Sequence, residues 1–385
     1  MPTYFSYPTR VVWGAGSLAK LPEEIRRPGG SRVLLVTDDG VIKAGLARRA
    51  QLLLEEADLR YELFSNLSPN PTEADVWRGV EAYRKANADC LVAIGGGSPL
   101  DVARAIRLAL HHPPPLSRYD DATGGDVNVT GELPPLVCVA TTAGTGSEVS
   151  RSAVVYLPDT GRKTVLFSPR LIATAAIADP ELTEGLPPHL TAWTGLDAFT
   201  HCLEAYVSLG DHPLADALAI DGVRRAAHAL PRLMDDGRDL SMRSEMMVAA
   251  IEGAMAFQKG LGAAHAIAHA VGAVVPSVHH GLANAIALPP VCRFNVEEAH
   301  PRFARIAEAM GEPPGKGDVA MAEAACRRVE ELCRRCGIPA KLSDVGVKRE
   351  QLAELTRRAL EDASHRGNPR PVPAGEMERL IAGLL

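Results

Sequence analysis

At 385 residues the chain exceeds the length that one hydrophobic core usually organises, so two domains are expected. With 46% hydrophobic and 23% charged residues it lies in the range of ordinary soluble globular proteins. A net charge of −6 with no Lys/Arg-rich block argues against nucleic acid as a partner. The seven cysteines are scattered and odd in number, which points away from a disulfide framework and toward a reducing compartment. Cys333 and Cys336 form a C-x-x-C, but no second ligand pair stands nearby, so unpaired thiols on a helix are expected. The start, "MPTYFSYPTRVVW", has no basic stretch followed by an apolar core, so no secretory signal is read there. The most apolar long window, 262–285, carries histidines and Pro276 and makes a poor membrane span. A cytoplasmic protein with no membrane partner is expected.

In chain order, "RVLLVTD" (32–38), "YELFSNL" (61–67), "CLVAIGGG" (90–97) and "PLVCVATT" (135–142) read as strands, the last two apolar enough to be buried on both faces. Between them, 41–57 and 72–87 show helical spacing, with Thr72 as N-cap of the second. Strand and helix in repetition predict a doubly wound parallel sheet. From about residue 186 the texture becomes long Ala/Leu/Arg/Glu helices, such as 212–234 and 320–336, with no convincing strand. The boundary falls near "LTEGLPPHL" (182–190), where two prolines interrupt any continuing element. The prediction is an α/β domain over 1–185 and an all-α domain over 186–385.

Two glycine-rich turns compete for a nucleotide. "GAGSLA" (14–19) follows the strand-like "RVVW" and fits G-x-G-x-x-A, with Asp38 and Asp39 about twenty residues on. "GGGSPLDVARAI" (95–106) is preferred, because it leaves a buried-type strand and runs straight into an amphipathic helix. Its glycine amides, the Ser98 hydroxyl and the helix N-terminus would then face one anion. The hydroxyl-rich "ATTAGTGSEVS" (140–150) follows the next strand, where a parallel sheet opens its ligand crevice. Asp38, ending its strand, suits ribose hydroxyls and repels a 2′-phosphate, which favours NAD over NADP.

In the helical half, "TGLDAFTHCLEAYVS" (194–208) sets Asp197 and His201 four apart on one helix face among apolar neighbours. His265 and His269 repeat that spacing, and His279 and His280 follow after Pro276. Buried imidazoles without partners are costly, and a divalent metal resolves that cost. One carboxylate with three imidazoles makes a mixed O/N set suited to Fe2+ or Zn2+.

These residues resemble the iron-containing, or group III, alcohol dehydrogenase family. The likeness is collinear over nearly the whole chain, through "NPTEADV" (70–76), "IGGGSPLDVARAI", "ATTAGTGSEVS", "ADPELT" (178–183), "TGLDAFTHCLEAY", "FQKGLGAAHAIAHAVGA", "HHGLANAIALP" and "NPRPV" (368–372). It implies a Rossmann-like N-terminal domain, a helical metal-binding C-terminal domain, and reversible hydride transfer between NAD(H) and a small alcohol, aldehyde or ketone. Carried over by position, it implies Asp197, His201, His265 and His280 as metal ligands and His269 as a histidine near the active site that is not a ligand; an imidazole there is suited to relay the proton. It implies nucleotide contacts at Asp38, Asn70, Gly96, Gly97, Ser98, Asp101, Thr141, Thr142, Thr145, Ser150, Lys163 and Leu182, and a homodimer. The sequence departs from the family pattern in two places: an extra histidine, His279, precedes His280, and "AFQKGLG" (256–262) is one residue short. A glycerol-dehydrogenase-like polyol dehydrogenase and a dehydroquinate-synthase-like lyase are the alternatives.

Overall fold

The computed structural model describes residues 9–68, 70–315 and 317–385; most of the opening stretch read for a signal, 1–8, lies outside them. The described residues divide into two compact units, one of residues 9–142 with Gly146–Gly185, the other of Ala143–Thr145 with Leu186–Leu385.

The first unit is built on a six-stranded sheet of β1 (Arg10–Trp13), β2 (Arg32–Val36), β3 (Arg60–Phe64), β4 (Cys90–Gly95), β5 (Leu136–Ala140) and β8 (Ala175–Ala178). Every pairing is parallel, in the order β1-β8-β5-β4-β2-β3. Helices α1 (Leu21–Arg26), α2 (Asp39–Lys43), α3 (Leu46–Glu56), α4 (Glu73–Lys85) and α5 (Gly97–Ala109) connect the strands. Alternation along the strands splits the core between two faces. Leu34, Val36, Leu91 and Ala93 pack with α4 and α5, while Val33, Leu35, Val92 and Ile94 pack toward α1 and α3. Burial on both faces is why β4 reads as an unbroken apolar run. Thr72 caps α4 in a full capping box with Asp75.

Three details depart from expectation, the first being β8, which was not read as a strand in the sequence. The helix expected over 41–57 is two helices, α2 and α3, parted at Gly45 with φ +76°. A two-stranded antiparallel sheet, β6 (Ser152–Leu157) with β7 (Arg162–Phe167), was not read in the sequence.

The second unit is helical: α6 (Pro188–Val207), α7 (Pro213–Asp235), α8 (Leu240–Ala256), α9 (Ala263–Val274), α10 (His280–Asn295), α11 (His300–Ala309), α12 (Asp318–Arg335), α13 (Leu352–Glu361) and α14 (Ala374–Leu384). Pro188 at the first turn of α6 costs no hydrogen bond, since that N–H has no intrahelical acceptor. Apolar nearly all round, α6 is buried among α7, α8 and α10. No helix of the described residues is long and apolar enough to cross a membrane. All seven cysteines are buried and unpaired, Cys333 on α12 and Cys336 at its end.

Candidate metal centre and nucleotide loops

In the helical unit, α6 presents Asp197, His201 and Glu204 on successive turns, α9 presents His265 and His269, and α10 presents His280 and Asn284. Asp197, His201 and His265 are buried and offer one ligand atom each within 4.8 Å of one another. The His201 and His265 rings stack with centroids 4.5 Å apart. His280 adjoins this group without joining it as closely: its Nε2 lies 3.5 Å from Asp197 Oδ1, and its ring centroid 5.6 Å from that of His265. His269 stacks on His280 at 5.1 Å and shares a 2.8 Å hydrogen bond through Nδ1 with Asp362 Oδ2. His279 turns elsewhere, its Nδ1 accepting from Gly281 N at 3.2 Å as the N-cap of α10 and its ring 5.3 Å from that of Trp193.

The residues fit a divalent metal by what they leave unmet. His201 Nδ1 and His265 Nε2 are buried and have no hydrogen-bond partner among the described residues. Two such nitrogens beside one carboxylate are costly in a protein interior and are met together by one cation. Burial by itself would push the Asp197 carboxyl up, but His201, His280, His265 and the Asn284 hydrogen bond hold it well below the usual carboxylate range. Burial pushes His201 down to about 4 and His280 well below its ordinary value, so near pH 7 these imidazoles are neutral with a lone pair to give. An anionic oxygen with neutral imidazole nitrogens is the donor set of Fe2+ or Zn2+.

Three residues of this centre were missed in the sequence. Glu204 bonds His265, Asn284 Nδ2 donates to Asp197 Oδ1 at 2.8 Å, and Asp362 bonds His269. Glu204 was visible as the third residue after His201, on the same helix face; Asp362 had no local signal.

In the α/β unit, the expected nucleotide residues follow the carboxyl ends of the parallel strands. Asp38 follows β2, Asn70 lies between β3 and α4, Gly96 to Asp101 follow β4, and Thr141 and Thr142 follow β5. β2 and β4 are neighbours whose following helices pack on opposite faces, so the sheet switches direction between Asp38 and Gly96. The N-cap of α5 is Gly96, with no side-chain cap, and Thr142 lies beside it. By contrast, at 14–19 the anion position is filled by the chain itself. Asp179 accepts from Gly16 N at 3.2 Å and Leu18 N at 2.9 Å.

Other expected contacts have structural partners. Asp38 caps α2 through Val41 N at 2.9 Å. Lys163 Nζ donates to Asn70 Oδ1 at 2.7 Å, which brings two of the expected residues together. Asp101 accepts from Ser147 Oγ at 2.7 Å and Val154 N at 3.1 Å, and burial pushes its carboxyl up against the pull of Arg104. Ser150 Oγ pairs with Ser152 Oγ at 2.8 Å, and Leu182 sits in the core beneath β8. Thr145 belongs to the short segment that clusters with the helical unit.

Comparisons with known proteins identify the family. Residues 8–180 match the family described as iron-containing alcohol dehydrogenase, and residues 191–385 match the C-terminal domain of the Fe-containing alcohol dehydrogenase family. The chain is 39% identical over 386 residues to a 4-hydroxybutyrate dehydrogenase of Cupriavidus necator, covering 98% of each chain. It is 35% identical over 387 residues to an NAD-dependent methanol dehydrogenase of Bacillus methanolicus, covering 100% of each. A crystal structure of a 1,3-propanediol oxidoreductase superposes with a TM-score of 0.95 at 36% identity, covering 100% of both chains. Two matched domains in sequence order, with a helical-unit donor set suited to iron, make this chain a member of the iron-containing alcohol dehydrogenase family.

Proposed function

We propose that this NAD-dependent oxidoreductase interconverts a small primary alcohol and its aldehyde, with Asp197, His201, His265 and His280 holding ferrous iron. The observation that carries the reading is the buried group of Asp197, His201 and His265 with its two unpartnered imidazole nitrogens. When bound, the iron supplies a Lewis acid for the substrate oxygen, and NAD takes or returns the hydride. The protein's own part is to hold and orient. Asn284 fixes the Asp197 carboxylate, and Glu204 fixes the His265 ring. Asp362, whose carboxyl is held well below its usual range by His269 and Ser364 despite burial, keeps the His269 ring oriented to take and return a proton.

For the nucleotide, the amides of Gly96 to Ser98 at the start of α5 receive the pyrophosphate, with Thr141 and Thr142 beside them, and Asp38 selects NAD through the ribose. Asn70, Asp101, Thr145, Ser150, Lys163 and Leu182 complete the nucleotide set we propose, Asp101 acting through the loop it holds. Short, unbranched substrates are favoured by the relatives, which are named for 4-hydroxybutyrate and methanol. Zn2+ satisfies the same donors, and metal supply decides between the two ions. A homodimer in the cytoplasm, where unpaired thiols persist, is the proposed setting.

The test is metal analysis of protein purified without air, coupled to an NADH assay over C2 to C8 aldehydes. Asp197→Ala and His265→Ala are each expected to abolish both metal content and turnover. Full activity in a metal-free variant ends the proposal.

A further inference from the structure

The start of α9 carries no cap of its own. Its N-cap is Gly262, whose side chain can bond nothing, and the first-turn amides need acceptors. One buried carboxylate from α6 supplies them. Glu204 Oε2 accepts from Gly262 N at 3.0 Å, and Oε1 accepts from Ala264 N at 2.7 Å. Oε2 also lies 2.6 Å from His265 Nδ1 and 3.4 Å from His265 N. The approach requires glycine at 262, because a Cβ there would sit 2.7 Å from Glu204 Oε1.

The hydrogen bonding settles which ring nitrogen of His265 carries hydrogen. Backbone amides only donate and the Glu204 carboxylate only accepts, so the hydrogen between Oε2 and Nδ1 belongs to the ring. That leaves Nε2 as the lone-pair nitrogen, and Nε2 is the buried atom without a partner. We infer that Glu204 is a positioning residue that locks His265 in its metal-ready tautomer, using the same carboxylate that starts α9. The inference rests on the metal reading of the preceding subsection. It goes further by making the first turn of α9 and the affinity of the site two consequences of one side chain. A carboxylate behind a metal-bound imidazole sets both its orientation and its basicity.

Asn368 supplies the control. It also holds the start of α9, accepting from Ala263 N at 3.1 Å, and its other bonds run to Asn295 and Arg370 rather than to His265. The experiment measures Zn2+ affinity of the full chain by chelator competition, with thermal melting alongside, for wild type, Glu204→Gln, Asn368→Ala and Asp197→Ala. Glu204→Gln is expected to weaken Zn2+ binding by about 10- to 100-fold. Asn368→Ala is expected to lower the melting temperature while changing affinity much less. If Asp197→Ala binds Zn2+ like wild type, the metal reading itself fails. If Asp197→Ala loses the ion while Glu204→Gln keeps wild-type affinity, or Asn368→Ala weakens binding as much as Glu204→Gln, the tautomer inference alone is overturned. Nitrogen-15 shifts of the imidazoles in metal-free wild type need no altered fold. The signal that disappears in His265→Gln is expected to report hydrogen on Nδ1, and hydrogen on Nε2 refutes the inference.

Discussion

Asp179 shows what a single carboxylate can decide. Fully buried after β8, it accepts from Gly16 N and Leu18 N and also caps its own turn through Glu181 N at 3.1 Å. Most amides of the glycine pattern at 14–19 are therefore satisfied within the chain, although its spacing matches the dinucleotide fingerprint. Asp179→Ala strips the acceptor from three amides and is expected to cost about 2–4 kcal/mol. A urea denaturation midpoint measures it; an unchanged midpoint would mean that water satisfies those amides equally well.

At the scale of elements, the turn from β4 into α5 depends on Gly95. Its φ of +155° is a conformation that residues with a side chain rarely adopt, and a Cβ there would lie 2.6 Å from the Pro99 ring. Gly95→Ala is expected to weaken NADH binding at least tenfold, followed by NADH fluorescence, with metal content at the wild-type level. Wild-type NADH affinity would remove this loop from the nucleotide site. This turn was legible in the sequence because a fully buried strand and an amphipathic helix flank it, and both are local periodicities. The same holds for the strands β2 to β5 and for α4 with its cap at Thr72. The hairpin of β6 and β7 was missed although the burial of Ser152–Leu157 alternates, because Ser and Thr around it read as loop. In the metal centre, the ligand types and their i,i+4 spacing were legible, while the contacts made by their outer partners were not. Glu204 meets His265 across 61 positions and Asp362 meets His269 across 93, and no local pattern encodes such contacts.

Over the whole molecule, each unit buries a carboxyl that resists ionising. Burial pushes Glu148, in the α/β unit, up to about 7, and Glu252, on α8, up to about 8, the latter also raised by neighbouring Asp221 against the pull of Arg225. In the unfolded chain both lose their proton near 4.5. Between that value and about 7 or 8 the folded state holds more protons than the unfolded, so their stabilising contribution is full below 4.5 and is lost as pH rises. Glu252→Gln keeps the shape and removes the titration. Its melting temperature, relative to wild type, is expected to rise by several degrees between pH 5 and pH 8.5; a constant difference would show that Glu252 titrates normally. The thiols raise a different matter. All seven are buried and their pKa values are raised, those of Cys90 and Cys336 to about 12 and those of Cys138 and Cys326 to about 11. At neutral pH they are protonated and shielded, so peroxide and alkylating agents find no thiolate to attack. With ferrous iron in the proposed site, loss of activity in air is therefore expected at the metal rather than at the thiols, and fresh Fe2+ rather than a thiol reductant is expected to restore it.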